Sequence, residues 1–428
     1  MISPFSKNIR IITFYVFVFV VLLNVIIFLK TQNDNTLINI QSADNYTHDE
    51  LDVQVNKKYC GVETKNGCRF LFAYHMPEQE TSSNRHFLAF TQIARQLNRT
   101  IVLTNVGQSR IWSARQLPFD FYYNVQAFQK KFPDVNFITQ EEFKKWTKER
   151  HSKPNAIHAN IENKKPKNTF KYVKTKPKVL KEMRRFDFTF NNSSSFLQIN
   201  IGNKNSWIKE EGHRSMINFL ENTLSLEAEV ILVVHDKNYL IKTDDSIPYA
   251  KHLTEAAERI VRKLDQYIAI HWRMERAEVE MMPECAKRLV DYLNRLTSRT
   301  GIKNIYLATD YPLSRKPQSD TFHKLSNEHH QAMKILNSSF QLDTWISTHS
   351  LDYLKEYTAL ERPLKDELKG GGLQGIVDKL ILINATYFVS GPKGCCRILS
   401  KYTRRVVDER KELVKKGVTR IKNVVDRW

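Results

Sequence analysis

His271 and Arg273 stand two residues apart where an apolar run, Tyr267-Ile268-Ala269-Ile270, ends, and a second apolar run ends at Ala308-Thr309-Asp310. In extended chain, alternate residues share a face, so the imidazole and the guanidinium point the same way. A guanidinium presents its donors as a planar fork that matches phosphate oxygens, and it keeps its charge throughout the physiological range. A cation fixed at the mouth of a strand is half of a nucleoside-diphosphate site. The plainer alternative is an arginine that only makes a salt bridge at a strand end.

Particular elements must carry these groups. Tyr267 to Ile270 shows no alternation, which suits a parallel strand covered on both faces. Pro283 opens the next helix, Cys285, Ala286, Leu289, Leu293 and Leu296 recur at helical spacing, and Gly301 closes it before the strand Ile302 to Ala308. A right-handed βαβ crossover brings both strand ends to one edge of the sheet, where ligands of open α/β sheets bind. Gly391-Pro392-Lys393-Gly394, after a short strand Tyr387 to Ser390 and before a basic helix expected from Cys395, forms a tight loop. Its backbone N–H groups and the helix N-terminus suit a phosphate, although Gly-Pro also marks ordinary turns.

A second βαβ unit is expected near the front, from strands at Arg69 to Tyr74 and Thr100 to Thr104 flanking a helix at Asn84 to Leu97. Glu229 to His235 reads as another buried strand, and Leu253 to Leu264 as the helix leading to the strand at 267. The whole reads as α/β, two αβα halves that meet at a cleft, with a boundary near 245.

Ile11 to Leu29 is an uncharged run of 19 residues, long enough to cross a bilayer. Lys7 and Arg10 precede it and no small-x-small cleavage site follows, which predicts a retained signal-anchor with residues 1–10 in the cytosol and a type II topology. Residues 30–58 are polar and read as a flexible stem, leaving the remainder in the lumen of the Golgi or endoplasmic reticulum. Six Asn-x-Ser/Thr matches, at Asn45, Asn98, Asn191, Asn192, Asn337 and Asn384, agree with that side of the membrane. Cys60 and Cys68 suit a local disulfide, Cys285 is expected in the core, and the adjacent Cys395 and Cys396 stay open. No Cys/His spacing reads as a zinc site.

The formal net charge is +20. Between Lys144 and Arg185 the chain carries 15 Lys/Arg against three Glu, read as a basic insertion 144–185 that solubilises or attracts a polyanionic glycan. A lumenal address and the lack of interleaved aromatics argue against nucleic acid.

Three blocks of residues resemble the GDP-fucose protein O-fucosyltransferase superfamily. Arg69 to Tyr74 with Asn84-Arg85-His86-Phe87-Leu88 and Leu97-Asn98-Arg99-Thr100 resembles its first strand, its Asn-rich loop with a following His, and its Leu-Asn-Arg-Thr helix end. Ile270-His271-Trp272-Arg273 resembles its His-x-Arg signature, and Gly375-Ile376-Val377-Asp378 with Tyr387 to Ser390 resembles its late helix Asp and the strand before its phosphate loop.

The resemblance implies two Rossmann-like domains of the GT-B glycosyltransferase type, 59–245 on the acceptor side and 246–428 on the nucleotide-sugar side. It also implies GDP-fucose as donor substrate, inversion at the sugar, a protein or glycan hydroxyl as acceptor, and no cofactor or metal. Arg273 would be catalytic, binding the β-phosphate. His271 would hold the nucleotide and Asp378 would accept from guanine. Asn84 and His86 would be substrate contacts on the acceptor side. The family's Gly-Asn-Gln loop is here Ser82-Ser83-Asn84, and its Ser/Thr pair is replaced near Gly394 and Cys395, whose backbone would then serve the phosphates. No Asp-x-Asp occurs in the chain, so the usual carboxylate pair for a metal-bound diphosphate is missing. Glu78, Glu80, Glu275, Glu278 and Glu280 are the carboxylates available as a base. The alternative reading is a catalytically silent relative that binds glycans or proteins through its basic segment.

Overall fold

The computed structural model of the chain describes residues 48–428 apart from 64–66, 166, 174–189, 191–194, 203–209, 237–244, 276, 314–321, 323, 355–363, 366 and 398–399. The apolar run at 11–29 and most of the expected stem lie outside the described residues. Among those described, no helix is long and apolar enough to cross a membrane.

In chain order, α1 (His48–Cys60) is followed by β1 (Phe70–His75), α2 (Glu80–Gln96) and β2 (Thr100–Leu103). A small antiparallel pair, β3 (Val106–Gly107) and β4 (Arg110–Ile111), precedes α3 (Val125–Lys131), β5 (Phe137–Thr139) and α4 (Gln140–Glu149). Then come β6 (Ala156–Glu162), β7 (Thr169–Val173), β8 (Ser195–Asn200), α5 (Glu210–Leu224) and β9 (Val230–His235). The first sheet is ordered β5-β2-β1-β9-β6-β8-β7, parallel throughout except where β7 meets β8. After it the chain runs through α6 (Lys251–Leu264), β10 (Tyr267–Trp272), α7 (Met282–Thr300), β11 (Asn304–Thr309) and α8 (Asn327–Ser339). It ends with α9 (Leu373–Asn384), β12 (Tyr387–Ser390), α10 (Lys401–Lys415) and β13 (Asp426–Arg427). The second sheet, β11-β10-β12-β13, is wholly parallel. The α/β class and both expected βαβ units are present.

Both sheets owe their place to strands that bury two faces. β10 turns Tyr267 and Ala269 into a core shared with α6, α9 and the first sheet. Its other face sends Ile268, Ile270 and Trp272 into a second core with Cys285, Leu289 and Leu293 of α7. A continuous apolar run is what such two-sided burial requires. In α7, Pro283 lies in the first turn and Gly301 ends the helix at φ 73°, the left-handed cap that the sequence pattern predicts.

The described residues form two compact units, one of residues up to Gly67 with Glu149–Ser152, the other of Cys68–Lys148 with Lys153–Trp428. Within the smaller, Asp52 of α1 accepts from the backbone N–H of His151 at 2.7 Å and of Ser152 at 3.0 Å. The stem reading is therefore corrected at its end, because residues 48–58 are helical.

Further expectations are corrected, while Cys285 lies in the core as expected. The basic stretch 144–185 is not one insertion: β6 lies within it, hydrogen-bonded between β8 and β9 and largely buried. Its lysines flank a core strand, which composition alone does not reveal. Cys285 is bonded to Cys395, with Cα atoms 5.5 Å apart across a sequence separation of 110, while Cys396 is a buried free thiol. Cys60 and Cys68 are both disulfide-bonded, as anticipated. Finally, α2 begins at Glu80, so Ser82, Ser83 and Asn84 lie in its first turns and form no loop; α10 begins at Lys401, six residues after Cys395.

Candidate functional site

In the second sheet β10 is flanked by β11 on one side and β12 on the other. The chain runs from β10 to β11 on one side and afterwards crosses back to β12 on the other, and such a reversal of strand order opens a crevice at the carboxyl ends of the strands. Arg273 follows the last residue of β10, and Gly391 follows the last of β12. The two sequence features chosen for phosphate chemistry therefore meet at one place.

Arg273 is held from several sides. Its Nη2 donates to Glu275 Oε1 at 2.5 Å and its Nη1 to Ser400 Oγ at 3.4 Å, while its carbonyl accepts from the Arg397 N–H at 3.3 Å. Its Nε is buried and has no hydrogen-bond partner among the described residues. Glu275 Oε1 also accepts from Arg397 Nη1 at 3.0 Å, so one buried carboxylate orients two guanidiniums. Asp310, at the end of β11, braces the same turn by accepting from the Met274 N–H at 2.7 Å and the Glu275 N–H at 3.0 Å. Burial lifts the Asp310 carboxyl to about 6 despite those two bonds.

His271 is buried and hydrogen-bonded through Nδ1 to Thr403 Oγ1 at 2.9 Å, with the Tyr402 ring 4.9 Å away. Burial, with help from Arg273 and Arg427, depresses its pKa to about 3, so the ring is neutral. Ser400 caps α10, accepting from the Thr403 N–H at 3.4 Å. The N-terminus of a 15-residue helix thus faces the same corner as two arginines and two hydroxyls, which is the equipment an anion needs.

The glycine loop belongs to this corner but works differently from expectation. Gly391 is required by space, because a Cβ there would stand 2.4 Å from the Cβ of Cys396 and 2.9 Å from the Trp428 ring. Gly394 is required by backbone, at φ 88°, and its carbonyl accepts from the Glu278 N–H at 2.9 Å. The Cys395 thiol is spent in the disulfide, and its carbonyl accepts from Trp272 Nε1 at 2.9 Å. The hydroxyls that the sequence reading found missing at Gly394 and Cys395 are present further on, as Ser400 and Thr403. Arg397, Ser400 and Thr403 were missed because the helix start was placed too early; the Ser-x-x-Thr spacing at 400–403 was the available signal.

Asp378, on α9, is buried and accepts from the Tyr306 hydroxyl at 2.5 Å. Burial raises its pKa to about 7. Asn84 departs from its expected role. Its side chain accepts from the Ile247 N–H at 2.8 Å and donates to the Ile247 carbonyl at 3.1 Å, so both ends of the amide clamp the segment before α6. His86 is buried against Glu78, Nδ1 to Oε2 3.4 Å, and packs edge-on to the His235 ring at 4.7 Å. Glu80 is not a surface carboxylate: Lys379 Nζ of α9 lies 2.6 Å from its Oε2 and 2.7 Å from the Tyr249 hydroxyl, fully buried.

The family profile described as GDP-fucose protein O-fucosyltransferase matches residues 81–411. Among solved structures, POFUT1 in complex with GDP is 15% identical, with 81% of this chain and 95% of that one covered at a TM-score of 0.45. NodZ alpha-1,6-fucosyltransferase co-crystallised with GDP is 10% identical, with 79% and 91% covered at 0.38. Fucosyltransferase NodZ from Bradyrhizobium is 11% identical, with 79% and 92% covered at 0.38. Comparison with curated protein sequences finds no match. With the family profile extending over most of its length, the chain belongs to the GDP-fucose protein O-fucosyltransferase family and is a glycosyltransferase.

Proposed function

We propose that this chain transfers fucose from GDP-fucose to a hydroxyl of a protein or glycan, with inversion and without a metal ion at the diphosphate. The two sheets form the donor and acceptor sides of a cleft in the GT-B manner. The observation that carries the reading is Arg273 at the strand reversal of the second sheet, oriented by Glu275 and joined there by Arg397, Ser400, Thr403 and the start of α10. In the displacement, the acceptor oxygen bonds to the anomeric carbon while the bond to the β-phosphate oxygen breaks, and its electron pair leaves with GDP. A prepositioned guanidinium offsets that growing charge without reorganising, which is the role a divalent cation has in other sugar-nucleotide enzymes.

The acceptor proton needs a base on the other side. Glu80 is committed to Lys379, and Glu275 to two arginines. Glu78 follows β1, whose neighbours β2 and β9 make it the reversal point of the first sheet. With His86 3.4 Å away, Glu78 is the carboxylate we assign to take the proton.

The address remains that of the sequence reading: a signal-anchor at 11–29 and a lumenal catalytic part in the Golgi or endoplasmic reticulum. The test uses the purified chain in detergent with GDP-fucose, with and without a chelator, comparing Arg273→Ala with wild type. Turnover indifferent to chelation and a fall in kcat/KM of roughly 100- to 1,000-fold are expected. Turnover of Arg273→Ala within a few-fold of wild type would overturn the mechanism.

A further inference from the structure

β1 and β9 are adjacent parallel strands, and where they end three donors from distant parts of the sequence converge: Glu78 after β1, His86 on α2 and His235 closing β9. Their ligand atoms lie within 4.8 Å of one another. Glu78 Oε2 is 3.4 Å from His86 Nδ1 and 3.8 Å from His235 Nε2. Ligand atoms around a tetrahedral zinc, at bonds of about 2.0–2.1 Å, stand ~3.3 Å apart. Two edges of that tetrahedron are therefore nearly built.

Proton placement gives a second, independent pointer. His235 Nδ1 is hydrogen-bonded to the Asp236 carbonyl at 2.9 Å. A carbonyl only accepts, so Nδ1 carries the proton and Nε2 presents its lone pair. That lone pair faces the Glu78 carboxyl group, 3.8 Å away, and the Met76 thioether, whose Sδ is 3.3 Å from Nε2. An imidazole whose far nitrogen is fixed by a carbonyl is also the usual outer arrangement of a metal-bound histidine.

We propose that Glu78, His86 and His235 bind one zinc ion. The site is separate from the phosphate corner and plays no part in expelling GDP. Binding occupies the Glu78 oxygen, so zinc inhibits transfer; that consequence alone rests on the assignment of Glu78 as base.

The experiment takes tag-free, metal-stripped protein and titrates Zn²⁺ in competition with a chromophoric chelator. One zinc per chain is expected, with binding at least tenfold weaker in His235→Gln and His86→Gln. Unfolding temperatures of the metal-free variants report whether they are folded. Should neither variant fold, Co²⁺ added to wild type gives the answer, as the intense visible absorption of a tetrahedral site is expected. Absence of zinc binding by wild type, binding unchanged in folded variants, or Co²⁺ spectra of an octahedral aquo type would each overturn the proposal. Stoichiometric zinc that weakens in the variants yet leaves fucose transfer untouched upholds the site and removes Glu78 as base.

Discussion

Replacing Lys379 by Met tests whether the two sheets are joined by a buried charge pair. The Nζ lies 2.6 Å from Glu80 Oε2, 2.8 Å from Thr81 Oγ1 and 2.7 Å from the Tyr249 hydroxyl, with side-chain exposures of 1% for Lys379 and 4% for Glu80. Burial pushes the ammonium's pKa down, and Glu80 pulls it back up. Removing one partner of such a pair strands the other charge away from water and costs about 3–5 kcal/mol. Here the stranded Glu80 keeps hydroxyl donors, Tyr249 at 2.9 Å and Tyr123 at 3.4 Å, which places Lys379→Met toward the lower end. Thermal unfolding of the variant should come roughly 3–5 °C earlier. The double variant Glu80→Gln/Lys379→Met removes both charges, and glutamine can still accept from the tyrosines, so it should recover most of that loss. If the two single losses simply add in the double variant, the charges are not coupled and the reasoning fails. The pair matters to function because Glu80 opens α2, two residues after Glu78, and α9 carries Asp378 beside Lys379.

Two other outcomes follow from the same geometry. Asp378 has its folded pKa raised to about 7, so its contribution to stability is present at low pH and is lost as pH rises through 7. If its ionised form accepts from guanine, GDP affinity runs the opposite way and should rise roughly tenfold from pH 6 to 8, and Asp378→Asn should flatten both profiles; isothermal titration and thermal melts at each pH decide. The Cys285–Cys395 bridge closes a span of 110 residues and ties α7 to the loop that leads to Arg397. Cys285→Ala with Cys395→Ala should cost about 2–5 kcal/mol and weaken GDP binding, and a variant matching wild type in both melting and titration would show the bridge to be dispensable.

Much of this protein could be read from local pattern. The uninterrupted run Tyr267 to Ile270, Pro283, Gly301 and the spacing of Cys285 to Leu296 each act within a few residues. Backbone preference and apolar periodicity were enough to place β10, α7 and β11, and with them His271, Arg273 and Asp310 at one sheet edge. The matched His-x-Arg and Leu-Asn-Arg-Thr segments carried the family in the same local way. Which distant groups meet was decided by strand order. Lys379 reaches Glu80 across 299 positions, and Cys395 reaches Cys285 across 110. His235 faces Glu78 only because β9 inserts beside β1. Asn84 looked like a ligand contact until its amide was found clamping Ile247, and the lysine-rich stretch looked like loose surface until β6 was found inside the sheet. Charge and polarity along a chain say what a side chain offers; the partner that consumes the offer is fixed only when the sheets assemble and exclude water.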